Sequence, residues 1–200
     1  MKKRLPKIFL AVLLLLMAVV PASRACVGRI LYVGAVDTPE SKLMAELLVT
    51  LINERTGTNV KVRYASNRND LYAAFKTHDE SSRVDIIIEN TADAMAHLKK
   101  TRLGNPDQEY AEIKRLYEKE LEVVWLTPFS FKSGSGAIPT LSAPLIRQDT
   151  LTNFPLLPRI LNKLSTAIDT KTYKDLLSKI NSGGKPKNVA KDFLKERKFI

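Results

Sequence analysis

The sequence predicts an α/β fold with an open, mostly parallel sheet flanked by helices. Between residues 29 and 126, short apolar segments rich in β-branched residues alternate with segments in which apolar residues recur at helical spacing. The run Ile86, Ile87, Ile88 is continuous rather than alternating, which is typical of a strand covered on both faces. Strands that alternate with helices in this way favour parallel pairing.

Individual elements follow from local signals. The first helix is predicted to start at Thr38, a capping residue followed by Pro39, and to end at Gly57. After Trp125 the periodicity stops, and the Gly/Ser composition of the next residues is that of a linker. We predict strands at 29–36, 60–65, 84–89, 121–126 and 143–147, and helices at 39–56, 67–76, 91–99, 105–120, 149–162 (broken by Pro155 and Pro158), 170–180 and 186–195.

The first 25 residues have the layout of a secretory signal peptide. A basic segment is followed by 13 apolar residues, Ile8 to Val20, and by small residues at Ser23 and Ala25. Thirteen residues are short for a membrane span, which needs about 20. Cleavage after Ala25 would leave Cys26 at the new N-terminus. A lipid anchor on Cys26 is less favoured because Ser23 and Arg24 do not suit a lipobox, and an uncleaved anchor is the third alternative. The predicted location is the periplasm or cell envelope.

The charge balance gives little support to nucleic-acid binding. The net charge of +11 falls to +6 once the leader is set aside, because the leader holds five of the 32 bases and no acid. The remaining bases mostly fall on predicted outer faces of helices, so a solvated surface explains them better than a nucleic-acid track. With one Cys and two His, no disulfide framework, metal site or cofactor is predicted.

Enzyme signatures are weak. There is no G-x-S-x-G elbow, no Walker-type phosphate loop and no G-x-G-x-x-G after the first strand. Glu89 and Asp93 could form a carboxylate pair, but acids at a helix start explain them equally well. We therefore predict a protein that is not an enzyme.

The predicted strand ends are the more informative positions. In open α/β sheets, ligands collect outside the carboxyl ends of parallel strands. Hydroxyl, amide, carboxylate and aromatic side chains stand there, which suits a small polar ligand. The candidate ligand-binding residues are Thr38, Glu40, Glu89, Asn90, Thr91 and Phe129.

Several short motifs recur along the chain in a characteristic order and spacing. They are Val33-Gly34, Ala45-Glu46-Leu47-Leu48, Val84-Asp85-Ile86, Tyr117-Glu118-Lys119, Val124-Trp125-Leu126, Ala143-Pro144-Leu145-Ile146-Arg147-Gln148, Phe154-Pro155, Leu161-Asn162-Lys163-Leu164-Ser165, Ile168-Asp169, Gly184-Lys185-Pro186, Val189-Ala190 and Phe193-Leu194. Together they resemble the substrate-binding proteins of ABC transporters for glycine betaine, choline and related osmoprotectants. The C-terminal part carries the closest likeness, and the resemblance extends over nearly all of residues 29–200.

The resemblance implies a periplasmic binding protein, but the chain departs from the family in two ways. The family inserts a second lobe between the fourth strand and the segment near Ala143, where this chain has a short loop. Expected domains are therefore a signal peptide at 1–25, one lobe formed by 26–132 and 143–200, and a linker at 133–142. The family has a Tyr-Pro-Glu-Tyr-like run after the third strand, and the run here is Ile87-Ile88-Glu89-Asn90, so both aromatic residues are absent. Lys132 near the cleft would further disfavour a cation.

Two functions follow as alternatives. The first is an exported solute-binding component of an ABC system with a weakened site for a small polar or quaternary-ammonium solute. Its partner would be an ABC permease, and a homodimer would be one way to rebuild the cleft. The second is a degenerate lobe that binds another envelope protein, which an exposed apolar patch would favour. The residues of that patch would be Trp125, Phe129, Phe131 and Ile138.

Overall fold

The computed structural model describes residues 29–133 and 138–200. The predicted leader, Cys26 and the Gly-containing part of the predicted linker lie outside this range. The strands are β1 (Leu31–Val36), β2 (Val60–Ala65), β3 (Ile86–Asn90), β4 (Val123–Trp125), β5 (Lys132–Ser133) and β6 (Thr140–Arg147).

The sheet has the strand order β2-β1-β3-β6-β4, and β5 pairs with the start of β6. Strand β1 pairs in parallel with β2 and β3, whereas β6 lies antiparallel between β3 and β4. The predicted α/β class is confirmed, and the sheet is mixed because β6 alone among these five strands runs in the opposite direction. The start of β6 therefore lies beside the end of β3, where Ser142 is opposite Asn90.

Helices cover both faces of the sheet. They are α1 (Pro39–Thr56), α2 (Arg68–Lys76), α3 (Thr91–His97), α4 (Pro106–Leu121), α5 (Gln148–Asn153), α6 (Leu157–Ala167), α7 (Thr170–Asn181) and α8 (Pro186–Glu196). On one face, α1 packs with the C-terminal helices over Leu31, Val33 and Ile86. On the other face, α2, α3 and α4 pack over Ile87 and Leu145. Within the described ranges, no helix is long and apolar enough to cross a membrane.

The elements agree with the predicted ones within a few residues, with one instructive difference. Strand β6 begins at Thr140 rather than residue 143, and Thr140 and Leu141 pair with Ser133 and Lys132. Residues predicted as linker therefore contribute buried strand positions. The sequence signal was weak because the strand is buried along its whole length and shows no alternation.

One glycine fixes how closely β1 meets its neighbours. A Cβ atom at Gly34 would lie 2.5 Å from Leu71 Cδ1 and 2.6 Å from Val84 Cγ1. Any larger residue would push α2 away from the sheet. Because Gly34 also lines the cavity described next, this close contact helps to set the position of α2 beside it.

Candidate functional site

A cavity of about 150 Å³ lies at the edge of the sheet where β1 and β3 end and β6 begins. It is open to solvent on one side and is lined by the ends of these strands, the first turns of α1, the start of α2, and one side chain each from α7 and the loop before β5. The lining residues are Gly34, Ala35, Val36, Glu40, Ser41, Met44, Ala45, Arg68, Leu71, Ile88, Glu89, Asn90, Phe131, Ser142 and Tyr173.

Glu89 is the one carboxylate of the cavity lining that is buried, with 1% of its surface exposed. Its Oε1 accepts hydrogen bonds from Arg68 Nη1 at 2.5 Å and from the Asn90 backbone N–H at 2.8 Å. Burial raises the pKa of Glu89, and the charge of Arg68 acts against that rise. Its Oε2 has no hydrogen bond of normal geometry among the described residues, although the Tyr72 hydroxyl is close enough to influence the pKa.

Arg68 joins two carboxylates at the cavity. Its Nη1 contacts Glu89, and its Nη2 lies 2.8 Å from Asp93 Oδ2. Asp93 also accepts a hydrogen bond from the Asn90 side chain at 2.6 Å. Glu89 and Asp93 are thus brought together, as their spacing suggested, but the guanidinium between them makes an ion-pair cluster instead of a proton-sharing acid pair.

Aromatic side chains enter the cavity from elements that the sequence did not connect with it. Phe131 stacks on Tyr173, with ring centroids 4.1 Å apart, and on Phe129 at 5.5 Å. Burial and then the charge of Glu40 raise the pKa of Tyr173, which places the Glu40 carboxylate near this ring. Stacking occupies ring faces that a cation would otherwise contact, so this group offers less than an open aromatic cage.

The structure brings three of the six predicted site residues into the cavity lining: Glu40, Glu89 and Asn90. The other three have local structural roles. Thr38 caps α1 by accepting from the Ser41 N–H, Thr91 accepts from the Leu141 N–H at 3.3 Å, and Phe129 is buried behind Phe131. Capping and ligand binding favour the same residue types, which is why composition did not separate them.

Three further residues were missed by the sequence analysis. The sequence pattern places Arg68 among the solvated bases. It is, however, the first residue of a helix that follows a strand end, and this position brings it to the cavity. Phe131 lies in a stretch without periodicity, and Tyr173 lies over 130 residues from Glu40 in the sequence. Lys132, expected near the cleft, is exposed and is not part of the lining.

His97 and His78 stand outside the cavity. His97 stacks on Tyr72 with centroids 4.0 Å apart and lies 3.0 Å from Lys76 Nζ. His78 lies 3.3 Å from Arg147 Nη2. No three His, Cys, Asp or Glu side chains within the described ranges are grouped to hold a metal ion.

Comparison with known proteins finds a family similarity in the C-terminal part of the chain. Residues 136–196 match the family model OpuAC, described as the substrate-binding domain of an ABC-type glycine betaine transport system. The resemblance is confirmed. Among curated proteins, no significant sequence match was found.

Two solved structures share the fold over most of the chain. Apo YehZ from Escherichia coli has a TM-score of 0.74 and 14% identity, covering 85% of this chain and 99% of that one. A glycine betaine/carnitine/choline ABC transporter structure has a TM-score of 0.73 and 13% identity, covering 84% of this chain and 99% of that one. The chain therefore has the same fold as these two structures.

Proposed function

We propose that the chain is an exported solute-binding component of a glycine betaine-type ABC transport system, and that its solute site is weak. The observation that carries this proposal is the position of the cavity. It lies at the carboxyl ends of the parallel strands β1 and β3, where ligands collect in open α/β sheets, within a binding-protein fold. The proposed partners are an ABC permease and a small polar or quaternary-ammonium solute.

The charge and shape of the cavity support a weak site for a cation. Glu40 and Glu89 give the lining two carboxylates against the single guanidinium of Arg68. Its volume of about 150 Å³ is below the roughly 300–1,000 Å³ of common ligand pockets. Only Phe131 and Tyr173 supply rings, and they stack on each other.

A missing opposite wall is part of the same proposal. Fourteen residues, 126–139, separate β4 from β6 in the sequence and include β5, whereas the family resemblance implies an inserted lobe at this point. One lobe cannot enclose a solute, because a good small-ligand site buries about 70–90% of the ligand surface. A second copy, or another chain, facing the cavity would supply that wall.

The alternative function, a protein-binding module, would have been favoured by an exposed apolar patch at the four predicted residues. Trp125, Phe129 and Phe131 are at most 3% exposed, and Ile138 is half-buried. They do not form an exposed apolar patch. Solute binding is therefore the function that the geometry supports best.

Thermal unfolding with glycine betaine tests the proposal. A solute with a Kd near 1 mM would stabilise the folded protein by about 2.7 kcal/mol at 100 mM, seen as a rise in Tm. Tyr173→Phe keeps the ring and should keep most of this rise, whereas Tyr173→Leu removes the aromatic face and should lower it. An equal rise in both variants would show a general osmolyte effect and contradict binding at the cavity.

A further inference from the structure

The net positive charge of residues 29–200 comes from one part of the chain. Residues 29–169 hold eighteen basic and eighteen acidic residues, so this part is neutral. Residues 170–200 hold nine basic residues and three acids, which accounts for the whole excess of +6. These residues form α7, the turn at Gly183 and Gly184, α8 and the last four residues, which we call the C-terminal hairpin.

The hairpin presents this charge on a firm base. Leu176, Val189, Phe193 and Leu194 are buried in the core that α1 shares with the hairpin. Eight of its nine basic side chains belong to exposed residues, and the ninth, Lys191, is half-buried. Because the apolar side of the hairpin is packed into this core, its basic side chains extend from a fixed backbone.

Two of the nine basic residues form ion pairs within the protein, and Lys187 lines the same surface cavity as Glu46. Lys171 pairs with Asp175 at 2.7 Å, and Lys191 lies 3.7 Å from Glu54, both at exposed or half-exposed positions. Such surface pairs contribute little. On α8, Lys187, Lys191 and Lys195 recur every four residues and so lie along one side of the helix.

We infer that the C-terminal hairpin is a docking surface for an anionic phospholipid bilayer. Eight of its nine basic residues are lysines, which act as compact, hydrated point charges rather than as forks for bidentate recognition. Clusters of four to eight such residues on a helix suit diffuse attraction to anionic headgroups. The predicted export of the chain places it beside a membrane and away from nucleic acid.

The hairpin carries one residue of the cavity lining, which indicates which helix would face the membrane. Tyr173 of α7 lines the cavity, while the lysines of α7 are exposed to solvent. Docking through the lysines of α7 would therefore place at the bilayer the helix that carries Tyr173. This inference rests on the charge distribution and does not depend on solute binding.

Vesicle flotation of the exported, purified protein tests it. One set of vesicles is pure phosphatidylcholine, and the other contains 30% phosphatidylglycerol. We expect binding only to the anionic vesicles, lost on raising the salt concentration from 50 to 300 mM because exposed charges are screened. Binding to both sets equally, or to neither at 50 mM salt, would overturn the inference.

Two matched triple variants separate the hairpin from net charge in general. Lys187→Gln, Lys191→Gln and Lys195→Gln together should weaken vesicle binding by at least about tenfold. Lys100→Gln, Lys114→Gln and Lys119→Gln remove the same charge from exposed positions elsewhere and should change it by less than about twofold. Equal losses would contradict a specific surface. If the hairpin variant loses only polyglutamate binding while vesicle binding is unchanged, an acidic protein is the partner and the membrane inference is wrong.

Discussion

Two buried carboxylates lie at opposite ends of β3, and their surroundings differ. Asp85 precedes the strand and accepts from the Tyr32 N–H at 2.9 Å and from Arg83 Nε at 2.8 Å. Thr150 adds a hydroxyl at 3.3 Å, so both oxygens of Asp85 are satisfied. Glu89, near the other end, has one satisfied oxygen and one without a normal hydrogen bond among the described residues.

The difference distinguishes structural from functional burial of charge. The Asp85 cluster connects β3 to β6 and α5, because Arg83 also reaches Asp149 at 2.8 Å. Asp85 and Arg83 themselves are buried, with side chains 2% and 8% exposed. The Glu89 cluster borders a cavity and depends on Arg68, whose side chain is 42% exposed. Because one oxygen of Glu89 has no normal hydrogen bond among the described residues, this carboxylate remains able to interact with a ligand.

The largest expected effect comes from neutralising Asp85. Asp85→Asn leaves the buried Arg83 guanidinium without its main counter-charge, so we expect a loss of about 3 kcal/mol in the free energy of unfolding. This is the low end for a broken buried pair, since Asp149 still contacts Arg83. Urea unfolding measures it, and a loss below about 1 kcal/mol would show that the cluster is not structural.

At the other end of β3, Glu89→Gln is the substitution to compare with Asp85→Asn. Glu89→Gln removes a buried charge and leaves Arg68 half-exposed and still paired with Asp93. We expect a change of less than about 1 kcal/mol in the free energy of unfolding. A cost equal to that of Asp85→Asn would mean that both clusters are structural.

The smallest effects are the pH dependences, which have opposite signs. Because the pKa of Glu89 is raised in the folded protein, its ionisation opposes folding, and Glu89→Gln should gain stability relative to wild type as pH rises above 4.5.

Burial tends to raise the pKa of Asp149, but Arg147 and Arg83 outweigh it and hold the pKa below 3.8. The advantage of wild type over Asp149→Asn should therefore be complete above pH 3.8 and disappear as pH falls below it. Unfolding curves at several pH values check both, and parallel curves for either variant would contradict its predicted shift.

Sequence reasoning succeeded where the evidence was local. The apolar run Ile86, Ile87, Ile88 predicts the strand at 84–89. Glu89 and Asn90 are predicted at the site because parallel strands end at one edge of the sheet. The position of Tyr173 could not be predicted from the sequence, because only the packing of α7 against α1 brings it close to Glu40. The partners of Asp85 were missed for the same reason, because Thr150 is 65 residues away.

Calorimetric titration of the purified protein with glycine betaine tests the central claim most directly. A site that lacks a full aromatic cage and an opposite wall should bind with a Kd of about 1 mM, since each ring contributes about 0.5–2 kcal/mol. A micromolar Kd would contradict the weakened site. The absence of saturable binding would contradict solute binding by this chain alone.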